Sequence, residues 1–311
     1  MNLVIQSVLL VIGFAALMKG ADWFVEGAAG IAAKLGIPQL IIGLTIVAMG
    51  TSAPEAAVSV SSALKGNTGI CIGNVLGSNI MNILLILGIT STIVTLQVAD
   101  STIKYEKPFM IVISIVLLVV GCVGNVVSFL DGVLLWGLFL LYFAYLFVMT
   151  KKKQGEEESE EIKWKTWQLI VFFIIGLAMI IVGSDLTVDS ATNLAKVLGV
   201  SDRIIGLTIV AFGTSLPELM TSVTAARKGS VDIAIGNIVG SNIFNILFVV
   251  GTTALITPVA FSQEFFFDSL VVIASSILLF AGAVKKHALE RKFGILMLGC
   301  YALYFSYILM K

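Results

Sequence analysis

Charge is scarce in this chain. Only 12% of its 311 residues are Asp, Glu, Lys or Arg, about half the share usual in soluble domains. The 19 basic and 19 acidic side chains cancel to a formal net charge of zero. With no basic surplus to hold a polyanion, no nucleic-acid partner is expected. Histidine occurs once, at His287, and neither an H-E-x-x-H nor a G-x-S-x-G pattern is present. That removes the common hydrolase plans, and an enzyme is not expected. Cys71, Cys122 and Cys300 fall in apolar stretches without metal-ligand spacing and read as small buried apolar residues. No resident cofactor is expected from such a set.

Apolar side chains fill the space that charge leaves: 58% of residues are hydrophobic and the mean hydropathy is +1.05. Stretches long enough to cross a hydrocarbon core of roughly 30 Å run at about 3 to 32, 38 to 64, 69 to 95, 108 to 126, 130 to 149, 167 to 195, 204 to 226, 231 to 257, 268 to 284 and 292 to 310. The expectation is an all-α polytopic membrane protein of ten transmembrane helices, with the lipid bilayer as its surroundings and no protein partner required. The first stretch has no basic residue before it and carries part of the repeat described next, so it is expected to stay in the mature protein.

The chain repeats itself. Residues 41 to 55 read IIGLTIVAMGTSAPE and residues 204 to 218 read IIGLTIVAFGTSLPE, identical at 13 of 15 positions at an offset of 163. IGNVLGSNIMNIL at 72 to 84 and IGNIVGSNIFNIL at 235 to 247 agree at 10 of 13 at the same offset. The duplicated unit is therefore half the protein. Residues 1–150 form one five-helix repeat, 151–166 a short charged linker on the cytoplasmic side and 167–311 the second repeat. An odd number of spans per copy inserts the second from the opposite side, giving inverted repeats with broken helices at the midplane.

Orientation follows from Lys and Arg. Lys34, Lys104, Lys107, Lys151, Lys152, Lys153, Lys163, Lys165, Arg227, Lys228, Lys285, Lys286, Arg291 and Lys292 fall on one side; Lys65, Lys196, Arg203 and Lys311 fall on the other. The richer side is expected to be cytoplasmic, with both termini outside and the plasma (cytoplasmic) membrane as location. Asp22 and Glu26 align with Asp185 and Asp189. All four are expected toward cytoplasmic helix ends, with no assigned role.

Each repeat sets one acid, Glu55 or Glu218, deep in an apolar stretch, where a charge is costly enough to mark a functional site. Pro54 and Pro217 have no amide hydrogen for the carbonyls of Gly50 and Gly213, so the helix breaks there and freed carbonyls face the gap. Thr51 and Thr214 lie four residues before their glutamates, one helical turn away. Ser78 and Asn82, matched by Ser241 and Asn245, repeat that spacing in the next span. A single hydroxyl in a membrane helix commonly bonds its own backbone or a neighbouring helix, so these count only as a set. The set offers oxygen alone, which suits Na⁺, Ca²⁺ or Mg²⁺ and not the softer transition metals. Asn74, Asn79, Asn237 and Asn242 read as helix-to-helix hydrogen bonders.

Together, the paired GTS-x-PE and GN-x-x-GSNI-x-N elements resemble those of the sodium/calcium exchangers in the cation/Ca²⁺ antiporter superfamily, of the prokaryotic type without a regulatory domain. The resemblance implies a cation cluster at the bilayer centre. Its ligands are Glu55 and Glu218, the hydroxyls of Thr51, Thr214, Ser52, Ser215, Ser78 and Ser241, the amides of Asn82 and Asn245, and the backbone carbonyls of Ala48 and Ala211. It implies Ca²⁺ and Na⁺ as transported partners, and first and sixth spans that slide as a gating pair. Asparagine at both 82 and 245, where K⁺-dependent members carry an aspartate at one, argues against K⁺ co-transport. A proton/Ca²⁺ exchanger using the same glutamates stays open as the alternative, and so does a channel if flux needs no counter-ion.

Overall fold

The computed structural model describes residues 3–66, 68–153, 164–199 and 211–310. In chain order the elements are α1 (Leu3–Leu35), α2 (Gln39–Thr51), α3 (Ala53–Leu64), α4 (Gly69–Ile93), β1 (Leu96–Gln97), α5 (Thr102–Cys122), β2 (Val126–Val127), α6 (Phe129–Lys153) and α7 (Thr166–Val197). They continue with α8 (Ala211–Gly213), α9 (Leu216–Arg227), α10 (Val231–Ile256), β3 (Val259–Ala260), α11 (Glu264–Val284), β4 (Ala288–Leu289) and α12 (Arg291–Met310). Eight of these helices are long and apolar enough to cross a membrane, and α2 with α3 makes a ninth span bent by 46°. Of the ten expected spans, the one at 204 to 226 is represented only by α8 and α9, because 204–210 lie outside the described residues. So do 154–163 of the linker.

Burial sorts the helices into a centre and a rim. In α10, 94% of the most apolar window is buried inside the protein, and in α4 72%, against 11% in α12. A helix apolar on every side that is buried by protein forms the core, and one equally apolar but uncovered faces lipid. Both central helices carry a π-helical segment at matching repeat positions, Met81–Leu87 in α4 and Asn245–Val250 in α10. Such widened turns recur at functional sites.

Two short antiparallel ladders tie the repeats together at opposite ends. Leu96 pairs with Leu289 and Gln97 with Ala288; Val127 pairs with Val259 and Val126 with Ala260. The backbone bonds beside them correspond as well, Val98 N–H to His287 O at 2.8 Å and Phe261 N–H to Asn125 O at 2.9 Å. His287 and Asn125 are also the non-glycine residues with positive φ among those described. Each ladder joins the loop after a central helix, α4 or α10, to the loop before α12 or α6 respectively.

α1 and α7 are about 50 Å long at 1.5 Å per residue and lie against each other in antiparallel fashion. A Cβ on Gly13 would come 3.1 Å from Gly183 O, one on Gly20 2.9 Å from Gly176 O, and one on Gly27 2.7 Å from Leu169 O. The partner number falls by seven as the glycine number rises by seven. This seam of small residues lets two backbones touch, the usual source of helix association in lipid.

Antiparallel packing corrects one expectation. Asp22 and Glu26 lie at the opposite end of the α1–α7 pair from Asp185 and Asp189, so the four acids do not share a side. Two further expectations change. Lys107 is not in a loop but buried within α5, and of the three cysteines only Cys71 is buried, Cys122 being exposed at the end of α5 and Cys300 intermediate. Apolar composition makes a helix without saying which face meets protein and which meets lipid.

The seam is open to test. Gly20→Val puts a branched side chain against the backbone of Gly176 and Ile180 in the middle of the α1–α7 contact, where overpacking costs about 1–3 kcal/mol. Thermal unfolding of the purified protein in detergent should fall accordingly, whereas Gly137→Ala on α6, which has nothing within 4 Å of its Cβ position, should leave it unchanged.

Candidate ion-binding site

The site lies where the two broken spans meet the two central helices. Thr51 ends α2, Ser52 leaves helical geometry at φ −85° and ψ 7°, and Ala53 begins α3 with Pro54 in its first turn. Ser215 repeats this at φ −91° and ψ 3° before α9, with Pro217 in the first turn. Proline at a helix start gives up a donor that has no partner there anyway. Glu55 and Glu218 therefore fall in the first turns of α3 and α9, where the positive end of the helix dipole favours a carboxylate.

Both glutamates are buried, at 1% and 0% exposure. Ser52 Oγ donates to Glu218 Oε1 across the repeat interface at 2.9 Å. Thr51 also faces Glu218. Thr214 and Ser215 face Glu55 in the corresponding way, and Glu55 feels the charge of Glu218. Yet both Glu55 oxygens and Ser215 Oγ close no hydrogen bond. Ser52 thus serves the carboxylate of the other repeat, while Thr51 Oγ1 donates to Asn237 Oδ1 at 3.0 Å. The expected pairing of Thr51 with its own Glu55 one turn on does not form, because the helix breaks between them.

Asparagines hold this centre in register. Asn82 Nδ2 donates to Asn242 Oδ1 at 3.0 Å, and Asn245 Nδ2 donates to Asn79 Oδ1 at 3.1 Å. Asn79 and Asn242 complete the brace by donating to each other's backbone carbonyl. With their NH₂ groups spent this way, Asn82 and Asn245 are left with Oδ1 atoms that no donor meets. Asn74 Nδ2 donates to Ser59 Oγ and Glu55 O, and Asn237 Nδ2 to Ser222 Oγ and Glu218 O, so each anchors a glutamate-bearing helix. α9 in turn packs on the π-helical segment of α4, and α3 on that of α10.

Five buried acceptor oxygens are thereby left without a donor: both on Glu55, Oε2 of Glu218, and Oδ1 of Asn82 and of Asn245. Buried acceptors are rarely left so, since each forfeits its hydration. Neither glutamate has an ion-pair partner among the described residues, and an isolated buried carboxylate is more costly still. Hard oxygen atoms, two formal charges and no nitrogen or sulfur are what an alkali or alkaline-earth cation binds.

The other expected ligands are placed less simply. Ser78 and Ser241 are both buried; Ser241 Oγ donates to Ala48 O at 3.4 Å, where Thr51 Oγ1 and the Ser52 amide also donate. That carbonyl could ligate a cation only if the hydroxyls turned aside. Ala211 opens α8, next to residues outside the described set. Gly213 O, the carbonyl released by Pro217, does not face the gap as expected but accepts Ser184 Oγ from α7 at 2.8 Å. Ala21, at the matching place on α1, brings no hydroxyl to Gly50.

Beside the site is a cavity of about 650 Å³, with Asn74 and Ser78 on one wall, Thr187 and Val188 of α7 on another, and Phe212 and Tyr304 elsewhere. It lies toward the end of the α1–α7 pair that carries Asp185 and Asp189. The glycine seam and this cavity were not foreseen. The seven-residue spacing of Gly13, Gly20 and Gly27, with Gly176 and Gly183, was the available signal for the seam.

A bundle with a central oxygen cluster between repeated broken helices defines a membrane carrier of hard cations. The sodium/calcium exchanger protein family profile matches residues 5–149 and 168–310, and the chain belongs to that family. It is 31% identical to the sodium/calcium exchanger MaX1 of Methanosarcina acetivorans over 96% of both chains. To the inner membrane protein YrbG of Escherichia coli it is 38% identical over 89% of both. Its fold matches a solved structure of the sodium-calcium exchanger NCX_Mj with a TM-score of 0.87 and 32% identity, over 99% of this chain and all of that one. The chain is thus an integral multi-pass membrane protein of a cation/Ca²⁺ antiporter family.

The asparagine brace yields a prediction. Asn242→Ala removes the acceptor that orients Asn82 and leaves that amide unpaired, for a loss of about 1–3 kcal/mol in stability. The stabilisation that Ca²⁺ adds to thermal unfolding should shrink in the same variant, since the Asn82 carbonyl is no longer held toward the cluster.

Proposed function

We propose that this chain exchanges Na⁺ for Ca²⁺ by alternating access. In this reading it is built as ten spans in two oppositely inserted five-span halves, and sits in the plasma membrane with both termini outside. The observation that carries the reading is the pair of buried carboxylates, one from each repeat, among acceptor oxygens that no protein donor satisfies.

Charge explains why transport is exchange and not leak. Glu55 and Glu218 present two negative charges inside protein within a membrane, and moving a gate around an uncompensated pair is costly. One Ca²⁺ neutralises both, and two Na⁺ do the same. Either load permits the swing, and the loads exclude each other because they use the same oxygens. Binding energy that differs between the loaded and the bare site is what shifts the conformational equilibrium.

Access has a direction. Lys104, Lys228, Lys286 and Lys292 gather at the β1–β4 end, which is therefore taken as cytoplasmic. The 650 Å³ cavity lies toward the other end, which supports an outward-facing arrangement with α1 and α7 as the moving pair against the core. A ratio of about three Na⁺ per Ca²⁺ moves one net charge per cycle, worth roughly 2.3 kcal/mol per 100 mV, so an inside-negative potential drives Ca²⁺ out.

Purified protein in vesicles tests this. Loading vesicles with Na⁺ should drive ⁴⁵Ca²⁺ uptake, a pH gradient without Na⁺ should not, and K⁺ on either side should leave the rate unchanged. Uptake on the pH gradient alone would favour the proton/Ca²⁺ reading. Glu55→Gln and Glu218→Gln should each reduce Na⁺-driven uptake by at least about a hundredfold, equivalent to about 2.7 kcal/mol; wild-type rates in either would remove that residue from the site. Clamping the potential inside-positive should accelerate Na⁺-driven uptake into the same vesicles if the net charge follows Na⁺ outward.

A further inference from the structure

The acids that the exchange mechanism leaves unused form part of a second repeat-related set. Lys228, just after α9, reaches α1: its Nζ lies 3.2 Å from Glu26 Oε2 and 3.6 Å from Asp22 Oδ1, and donates to Asp22 O at 2.8 Å. Trp164 Nε1 donates to Glu26 Oε1 at 2.8 Å, adding the end of the linker to the same knot. At the offset of 163, Lys228 corresponds to Lys65, Asp22 to Asp185 and Glu26 to Asp189. The full charge pattern is thus present twice, once at each end of the molecule.

Only one copy is closed. Among the described residues Lys65, Asp185 and Asp189 make no ion pair or hydrogen bond with one another. α1 packs along α9, whereas α7 has no comparable packing against α3, its repeat counterpart. The site-lining cavity lies on that looser side. Lys65 is at the far end because the segment after it is fastened to the other ladder, Thr68 Oγ1 accepting the Ala260 amide at 3.2 Å.

We propose that these are two alternating ionic latches of the transport cycle: Lys228 with Asp22 and Glu26 holds the inner side shut, and Lys65 with Asp185 and Asp189 closes the outer side when the inner one opens. The inference rests on the alternating-access reading above. Inverted repeats switch sides by gating one bundle against another around a fixed site, and a switched molecule gives the second triad, at the outer end, the contacts that the first makes now at the inner end. Exposed ion pairs are individually weak, which suits a latch that must open on every cycle. Each biases the inward–outward equilibrium by about two- to tenfold without locking it.

Cross-linking tests the latches without requiring transport. In a background with Cys122→Ser and Cys300→Ser, the pair Lys65→Cys and Asp189→Cys should become bridgeable by a short bifunctional thiol reagent in the outer-closed state. Adding Lys228→Gln should raise the cross-linking rate about two- to tenfold, and adding Glu26→Gln should also raise it; Lys228→Arg, which keeps the charge, should not. An unchanged rate with both Lys228→Gln and Glu26→Gln in protein of wild-type thermal stability overturns the proposal, as does an equal rise with Lys228→Arg. Should vesicles show no Na⁺-driven Ca²⁺ uptake while cross-linking responds as expected, the assignment of the ions fails and the latches stand.

Discussion

Everything in this protein is arranged around two buried carboxylates that no basic side chain among the described residues neutralises. Such a pair is tolerable only if the surrounding structure supplies fixed dipoles and leaves room for a compensating cation. The dipoles that steady the carboxylates are visible, in the first turns of α3 and α9 and the hydroxyl of Ser52 on Glu218, while the amide oxygens of Asn82 and Asn245, being acceptors, are left for the cation. Each needs a backbone feature to exist. The prolines place the glutamates at helix starts, the π-helical segments bring α4 and α10 to them, and the asparagine brace holds those two helices in one register.

Symmetry distributes that work across the repeat interface. Ser52 serves the glutamate of the second repeat, and Asn82 and Asn245 are each oriented by an asparagine from the other half. Neither half holds a finished site. Separation of the halves would therefore leave buried acceptors and buried charge together, which ties the integrity of the site to that of the fold. The same logic explains why ladders between the repeats recur at both ends, where the halves would otherwise splay.

Much of this was legible in the sequence, and what was not had a physical reason. Glu55 and Glu218 stand out because a charge in an apolar run is rare, and the repeat stands out because 13 of 15 residues survive in its best-kept segment. The break is readable from Pro54 and Pro217, whose missing amide hydrogen does not depend on context. Which carboxylate each hydroxyl would face was not readable, since Thr51 is near Glu55 in sequence while Ser52 reaches Glu218 only across the assembled interface. Nor was the packing of α1 on α7: hydropathy is blind to glycine spacing, and the antiparallel pairing that separates Asp22 from Asp185 is a property of two helices at once. Lys107 and Cys122 were misplaced for the same reason, because composition sets a span and not the face it shows.

Departures from symmetry are as informative as the symmetry. A perfectly symmetric structure of this chain would have both sides equally open or equally shut, which is useless for a carrier. The contacts of α1 and α7 break the tie. α7 is fastened to the second broken span by Ser184 at Gly213 O, a contact that Ala21 cannot copy in the first half, while α1 is fastened to the end of α9 by Lys228. One of these contacts is written into the sequence and persists as a difference between halves; the other is a choice the conformation makes between two equivalent triads. In the alternating-access reading proposed above, sequence differences of the first kind bias the two states unequally, and equivalences of the second kind give the opposite state the same contacts to form. Exchange requires both, because an equilibrium lying wholly on one side would bind ions and never release them across the membrane.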